Sequence, residues 1–187
     1  GGFGEAGDYL EIDVESSGLL TATATGNIWL EEKTGNMDID RVLSTGGNVD
    51  LKANLSIFDS HNDINADVSG TNISLTASGA NIGISGNDLD IKATGTLTSF
   101  SNNNTYIIQT TGNLALNTVS TASGIAFITV PVGSITNGSS GGSNINSGKA
   151  WLFASNNIGS ATKAITTAGG SIEGLSTLGG VYISASG

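Results

Sequence analysis

Cysteine is absent from the 187 residues, so neither a disulfide framework nor thiolate chemistry is available. A fold that buries a continuous aliphatic core needs no staples, so this absence does not argue against secretion. Histidine occurs once, at His61, and without cysteine that excludes an ordinary zinc site. Charged residues make up 12% of the chain, about half the usual quarter of a soluble protein. Aromatics are 5%, so a core must be built from Ile, Leu, Val and Ala. No apolar run approaches the ~18 residues that a membrane span needs, and no stretch carries a helical period. The opening Gly1-Gly2-Phe3-Gly4-Glu5 lacks a basic region and an apolar region of a signal peptide; either a signal was removed or the segment belongs to a longer chain.

What is present is Gly, 28 residues of it, with abundant Ser, Thr and Asn between short aliphatic runs. Thr, Ile and Val favour strands and Gly and Asn favour turns, so the expectation is an all-β fold. Charge is uneven. Through Lys92 there are 15 acids against Lys33, Arg41, Lys52 and Lys92, a net −11; beyond it Glu173 faces Lys149 and Lys163, a net +1. An acidic chain repels nucleic-acid phosphates and anionic lipid surfaces, so nucleic acid and membrane insertion are set aside.

One phrase recurs: Gly, Asn, then two aliphatics flanking a variable residue. It reads Gly26-Asn27-Ile28-Trp29-Leu30, Gly35-Asn36-Met37-Asp38-Ile39, Gly47-Asn48-Val49-Asp50-Leu51 and Gly112-Asn113-Leu114-Ala115-Leu116, with looser copies at Asn72-Ile73, Asn81-Ile82, Asp88-Leu89, Ala150-Trp151 and Val181-Tyr182. Period two puts both aliphatics on one face and the variable residue on the other. Ile28 to Val49 is 21 residues, Val49 to Ile73 is 24, and Ile28 to Ile73 and Met37 to Ile82 are both 45. Fixed periods of this size mark a repeat architecture rather than a meander of hairpins. The spacing predicts a triangular coil of three short strands and three turns, roughly 20–25 residues each. Nine or so coils stacked at ~4.8 Å would make a rod roughly 40 Å long. Asn tolerates the left-handed region and can turn a corner, and repeated at one corner its amides can stack as a ladder.

A longer repeat overlies the short one. Phe3-Gly4-Glu5-Ala6 resembles Ile158-Gly159-Ser160-Ala161, and Gly26 to Leu30 matches Gly179 to Ile183 at an offset of 153. Residues 1–187 therefore read as a single solenoid segment, about one 153-residue unit plus an overlap. Pro131 and the Gly/Ser run after it predict a loop excursion over residues 131–148.

These phrases resemble the filamentous haemagglutinin-like repeats of large exoproteins exported by bacterial two-partner secretion. The resemblance is carried by Asn157-Ile158-Gly159-Ser160-Ala161 with Ile165-Thr166-Thr167, by Gly170-Ser171-Ile172-Glu173-Gly174-Leu175 and by Gly180-Val181-Tyr182-Ile183. It implies a right-handed parallel β-helix, a Gram-negative origin, an extracellular or cell-surface location, and a role as an adhesin shaft. The family's secretion domain has no counterpart in these residues.

No constellation argues for an enzyme. Ser60, His61 and Asp63 are a Ser/His/Asp trio by type, but a triad is defined by geometry and not by adjacency. Asp59, Asp63 and Asp67 offer hard oxygens for Ca²⁺, without the spacing of a known calcium loop. The acidic rows Glu11/Asp13/Glu15 and Asp38/Asp40 read as solubilising, and Arg41 as the sole Arg makes an anionic-polysaccharide lyase a poor fit. Trp29, Trp151 and Tyr182 occupy the outward slot of the phrase, where they would stack on sugars or on a neighbouring rod. Gly26, Asn27, Asn36, Gly47, Asn48, Asn72, Asn81, Gly112 and Asn113 are expected to build corners and ladders. The expectation is a non-enzymatic shaft without a cofactor, whose partners are copies of itself end to end, surface glycans or other cells. The alternatives are a carbohydrate- or host-binding module using the outward aromatics and, further off, a β-helix polysaccharidase.

Overall fold

A computed structural model describes residues 1–14 and 18–185. It is all-β. The chain alternates between two sheets, and every pairing between named strands is parallel. The first sheet runs from Leu10–Ile12 through Ile28–Glu32, Val49–Ala53, Ile73–Ala77, Thr96–Ser101 and Leu114–Thr121 to Ile145–Asn146, Ile165–Thr167 and Ile183–Ala185. The second runs from Leu20–Ala24 through Met37–Ser44, Val68–Gly70, Leu89–Ala93, Thr105–Gln109, Ile125–Val130 and Lys149–Ala154 to Ser171–Ser176. The result is a β-solenoid of about eight turns. Among the described residues no helix is long and apolar enough to cross a membrane.

The repeated phrase forms strands for the reason its period implies. Ile28, Val49 and Ile73 stand in register, as do Leu30, Leu51 and Leu75, and all six are buried. Each coil covers the inner face of its neighbours, since no coil can bury its own. Leu89, Ile107, Ile128 and Leu152 form a second such column across the opposite sheet.

The expected triangle appears with a modification: there are two sheets and not three. The third corner falls inside a strand. In Met37–Ser44 the register skips Asp40, and in Leu114–Thr121 it skips Asn117. At both places the alternation of buried and outward residues resets, as a β-bulge requires. A bend within a strand thus replaces a turn between strands.

The bend is also where chain is thrown out. Residues 60–67 and 83–88 leave the second sheet, and residues 4–9, 138–144 and 159–164 leave the first. Three of these excursions share a tight turn. Glu5 pairs antiparallel with Asp8 and Ile84 with Asn87, while Ser160 and Lys163 exchange backbone hydrogen bonds. Within 131–148, the strands Ile135–Asn137 and Ile145–Asn146 lie on the coil, so the excursion is confined to residues 138–144.

Candidate functional site

The corner residues build ladders along the rod. Asn27 Oδ1 accepts the Asn48 N–H at 2.8 Å. Asn48 Oδ1 accepts the Asn72 N–H at 3.1 Å and its Nδ2 at 3.0 Å. Asn72 Oδ1 accepts the Thr96 N–H at 2.9 Å. A second corner repeats this from Asn36 to the Ser56 N–H, Ser56 Oγ to the Asn81 N–H, Asn81 to the Asn104 N–H and Asn104 to the Ile125 N–H. Further along the rod the first corner, where the chain passes from the second sheet to the first, resumes its ladder from Asn113 to the Ser134 N–H, Ser134 Oγ to the Asn157 N–H and Asn157 to the Gly180 N–H.

The mechanism of these corners differs from the expected one. Among the described residues the only non-glycine with positive φ is Asn62, so the corner asparagines do not work through the left-handed region. Nor do the amides stack on one another, except at Asn48 and Asn72. Each side chain instead accepts the backbone N–H one coil on, a donor that the turn would otherwise leave unpaired. Glycine fits around this contact. A Cβ on Gly47 would lie 2.6 Å from Asn27 Oδ1 and 2.6 Å from its backbone nitrogen, so only Gly fits beneath that amide. Gly26 stands at the same corner one coil back, against the Gly1 carbonyl, and Gly112 has φ +74, a conformation natural to Gly.

Polar side chains also plug the turns from inside. Glu32 has no exposed surface, and its carboxylate accepts N–H groups of Val14, Thr34 and Gly35. Burial raises its pKa, but those donors outweigh burial and hold it below the ordinary value. Gln109, equally buried, spans the Ala93 N–H and the carbonyls of Ala93 and Thr111.

Beneath residues 60–67 three carboxylates meet. Asp59, Asp67 and Asp90 are buried. Asp67 Oδ2 accepts the Asp90 N–H at 2.9 Å, and Asp59 Oδ1 accepts the His61 N–H at 2.8 Å. Burial first, and then the Asp59 and Asp90 charges, push Asp67 up to about 8, against the pull of the Asp90 N–H. Burial, then Asp59, Asp63 and Asp88, push Asp90 up to about 7. A protonated Asp67 shares a hydrogen bond with Asp59, which relieves the repulsion between them.

Of the three calcium candidates, Asp59 and Asp67 thus come together under the loop. Asp63 stays exposed and accepts the Asn65 N–H at 2.6 Å. No group of three or more His, Cys, Asp or Glu side chains is arranged to hold a metal among the described residues. His61 Nδ1 lies 2.7 Å from Ser60 Oγ and 3.4 Å from Asp40 Oδ1. Both contacts use one ring nitrogen, whereas a catalytic relay needs the serine and the carboxylate on opposite nitrogens.

The outward aromatics do not share a face. Trp29 stands on the first sheet opposite Asp50, Trp151 on the second, and Tyr182 beside the bridge of Ile158 to Val181. Trp151 has other companions. Tyr106, Phe127 and Trp151 occupy one register position on successive coils. Ring centroids are 6.2 Å apart between Tyr106 and Phe127 and 6.3 Å between Phe127 and Trp151, tilted by 37° and 51°. This column borders a cleft of about 510 Å³ that Asp63, Asp88 and Asp90 also line. A second cleft of about 470 Å³ continues past Phe127 and Trp151 to Phe153, Glu173 and Leu175. Both acid cluster and aromatic column escape a reading along the sequence, yet a signal exists. Asp67 and Asp90 are 23 residues apart, one coil length, and the three aromatics stand 21 and 24 residues apart, coil lengths in the same range.

Parallel strands, axial ladders and a continuous aliphatic core together define a β-solenoid. No protein-family model, characterised protein or solved structure matches the chain.

Proposed function

We propose that the chain is a rigid shaft segment of a large extracellular bacterial surface protein, whose work is to provide length and stiffness. The observation that carries this reading is the set of axial ladders. Two corners each tie one coil to the next through side-chain oxygens and backbone N–H groups, in addition to the parallel strand pairing. Such a stack resists bending and loses little when one outward residue changes, because each coil contacts only its neighbours. At ~4.8 Å per turn, eight turns extend roughly 40 Å. The end coils leave Leu10, Leu175, Leu178 and Val181 exposed, apolar surface that a further coil or a second copy would cover. A filamentous haemagglutinin-like adhesin of a Gram-negative cell surface suits these features, and no catalytic step is assigned to any residue. The reading is tested by electron microscopy of native material with an antibody raised against this chain. Label along thin threads is the expected result; label on compact isolated particles would contradict it.

A further inference from the structure

The outer face of the second sheet carries something that a plain shaft does not need. Tyr106, Phe127 and Trp151 repeat once per coil in strict register, so their rings form a row parallel to the rod axis. The row is only partly covered by the protein. It runs between carboxylates, Asp63 and Asp88 beside the first cleft and Glu173 beside the second. Binding clefts combine apolar lining with a few convergent polar groups in this way.

Three features decide what fits. The backbone groups of these strands pair with neighbouring coils along the axis, so an added peptide strand would find few main-chain partners. Lys149 Nζ already lies 4.5 Å from the centre of the Trp151 ring, occupying the position that a cationic ligand would seek. The acids at either end repel a polyanion, while their oxygens accept hydrogen bonds from hydroxyl groups. A ligand with repeated flat apolar ring faces, many hydroxyls and no charge meets all three.

We infer that the Tyr106–Phe127–Trp151 row, with Asp63 and Asp88, is a binding groove for an uncharged oligosaccharide lying along the rod axis. This goes beyond the shaft reading and does not depend on it, since a compact particle could carry the same groove.

The test uses the whole chain carrying Trp29→Phe, so that Trp151 is the sole tryptophan reporter. Its fluorescence is titrated with cellohexaose, xylohexaose, maltohexaose and chitohexaose, and with polygalacturonate and a cationic peptide. The expected result is saturable binding of at least one neutral hexasaccharide. Phe127→Ala should weaken it about tenfold, Asp88→Asn about threefold, each at an unchanged circular dichroism spectrum. Trp151→Ala, followed by calorimetry, should weaken it by about the same factor as Phe127→Ala. No binding of any neutral hexasaccharide would overturn the inference. So would binding that survives Phe127→Ala and Trp151→Ala together, or binding confined to polygalacturonate or to the cationic peptide.

Discussion

Along the second sheet one outward face carries two chemistries. Around Leu89–Ala93 it is acidic, with Asp88 and Asp90 beneath and beside residues 60–67. From Tyr106 onward it is aromatic, and Asp90 stands directly opposite Ile108 at the change. The inward positions of the same strands do not change: Leu89, Ile107, Ile128 and Leu152 are buried in one column. The inner face is set by stacking, which every coil must satisfy alike, while the outer face is left free to differ.

The excursions show the same contrast in their buried polar groups. Under residues 60–67 the chain places three carboxylates that repel one another. Under residues 138–144 it places Asn144, wholly buried, whose amide nitrogen donates to the Leu116 carbonyl at 2.6 Å and to Asn137 Oδ1 at 3.1 Å. Its Oδ1 accepts the Thr166 N–H at 3.0 Å. One site is neutral and satisfied at any pH, and the other depends on where its protons are.

The largest effects should come from the shared core. Leu89→Ala in the acidic stretch and Ile128→Ala in the aromatic stretch should each cost about 2–5 kcal/mol, measured by denaturant unfolding at constant slope. Unequal losses would break the claim that the inner face is uniform. Next, Asn144→Ala should cost about 2–3 kcal/mol by stranding buried partners. Asp67→Asn should stabilise the chain at pH 9, where native Asp67 is ionised, since the amide oxygen can still accept the Asp90 N–H.

The pH dependence follows from the same groups. Asp67 and Asp90 rise in the folded chain from an ordinary 3.8 to about 8 and about 7. The folded state therefore binds more protons than the unfolded state between these values, and stability falls as pH rises through that window. Their contribution is complete below pH 3.8 and lost above about 8. Amide exchange near residues 60–67 should accelerate from pH 5 to pH 8.5 beyond the intrinsic rate change, while amides near Asn144 should follow the intrinsic change alone. The smallest effect on stability should be Phe127→Ala, about 1 kcal/mol from lost ring contacts, even as it should weaken binding in the proposed groove about tenfold.

Much of this was legible in the sequence. Period-two alternation placed Ile28, Leu30, Val49 and Leu51 inward, and the Gly-Asn spacing announced coils. Three things were not. Glu32 sits at an inward position after Ile28 and Leu30, but its residue type argues for the surface; only the N–H groups of a turn make burial tolerable there. Trp29 and Trp151 both read as outward, yet outward does not say which sheet, because coils of unequal length hide the register. Asp67 and Asp90 look like separate turn residues until they are aligned one coil apart.

The central claim is that side-chain oxygens at the corners clamp each coil to the next. Hydrogen exchange by NMR on the native chain and on Asn81→Ala tests it most directly, because Asn81 Oδ1 accepts the Asn104 N–H at 3.0 Å. The Asn104 amide should lose protection by about tenfold or more, equivalent to ~1.4 kcal/mol, while the Asn48 and Ser134 amides at the other corner keep theirs. Unchanged protection at Asn104, or an equal loss at both corners, would contradict it.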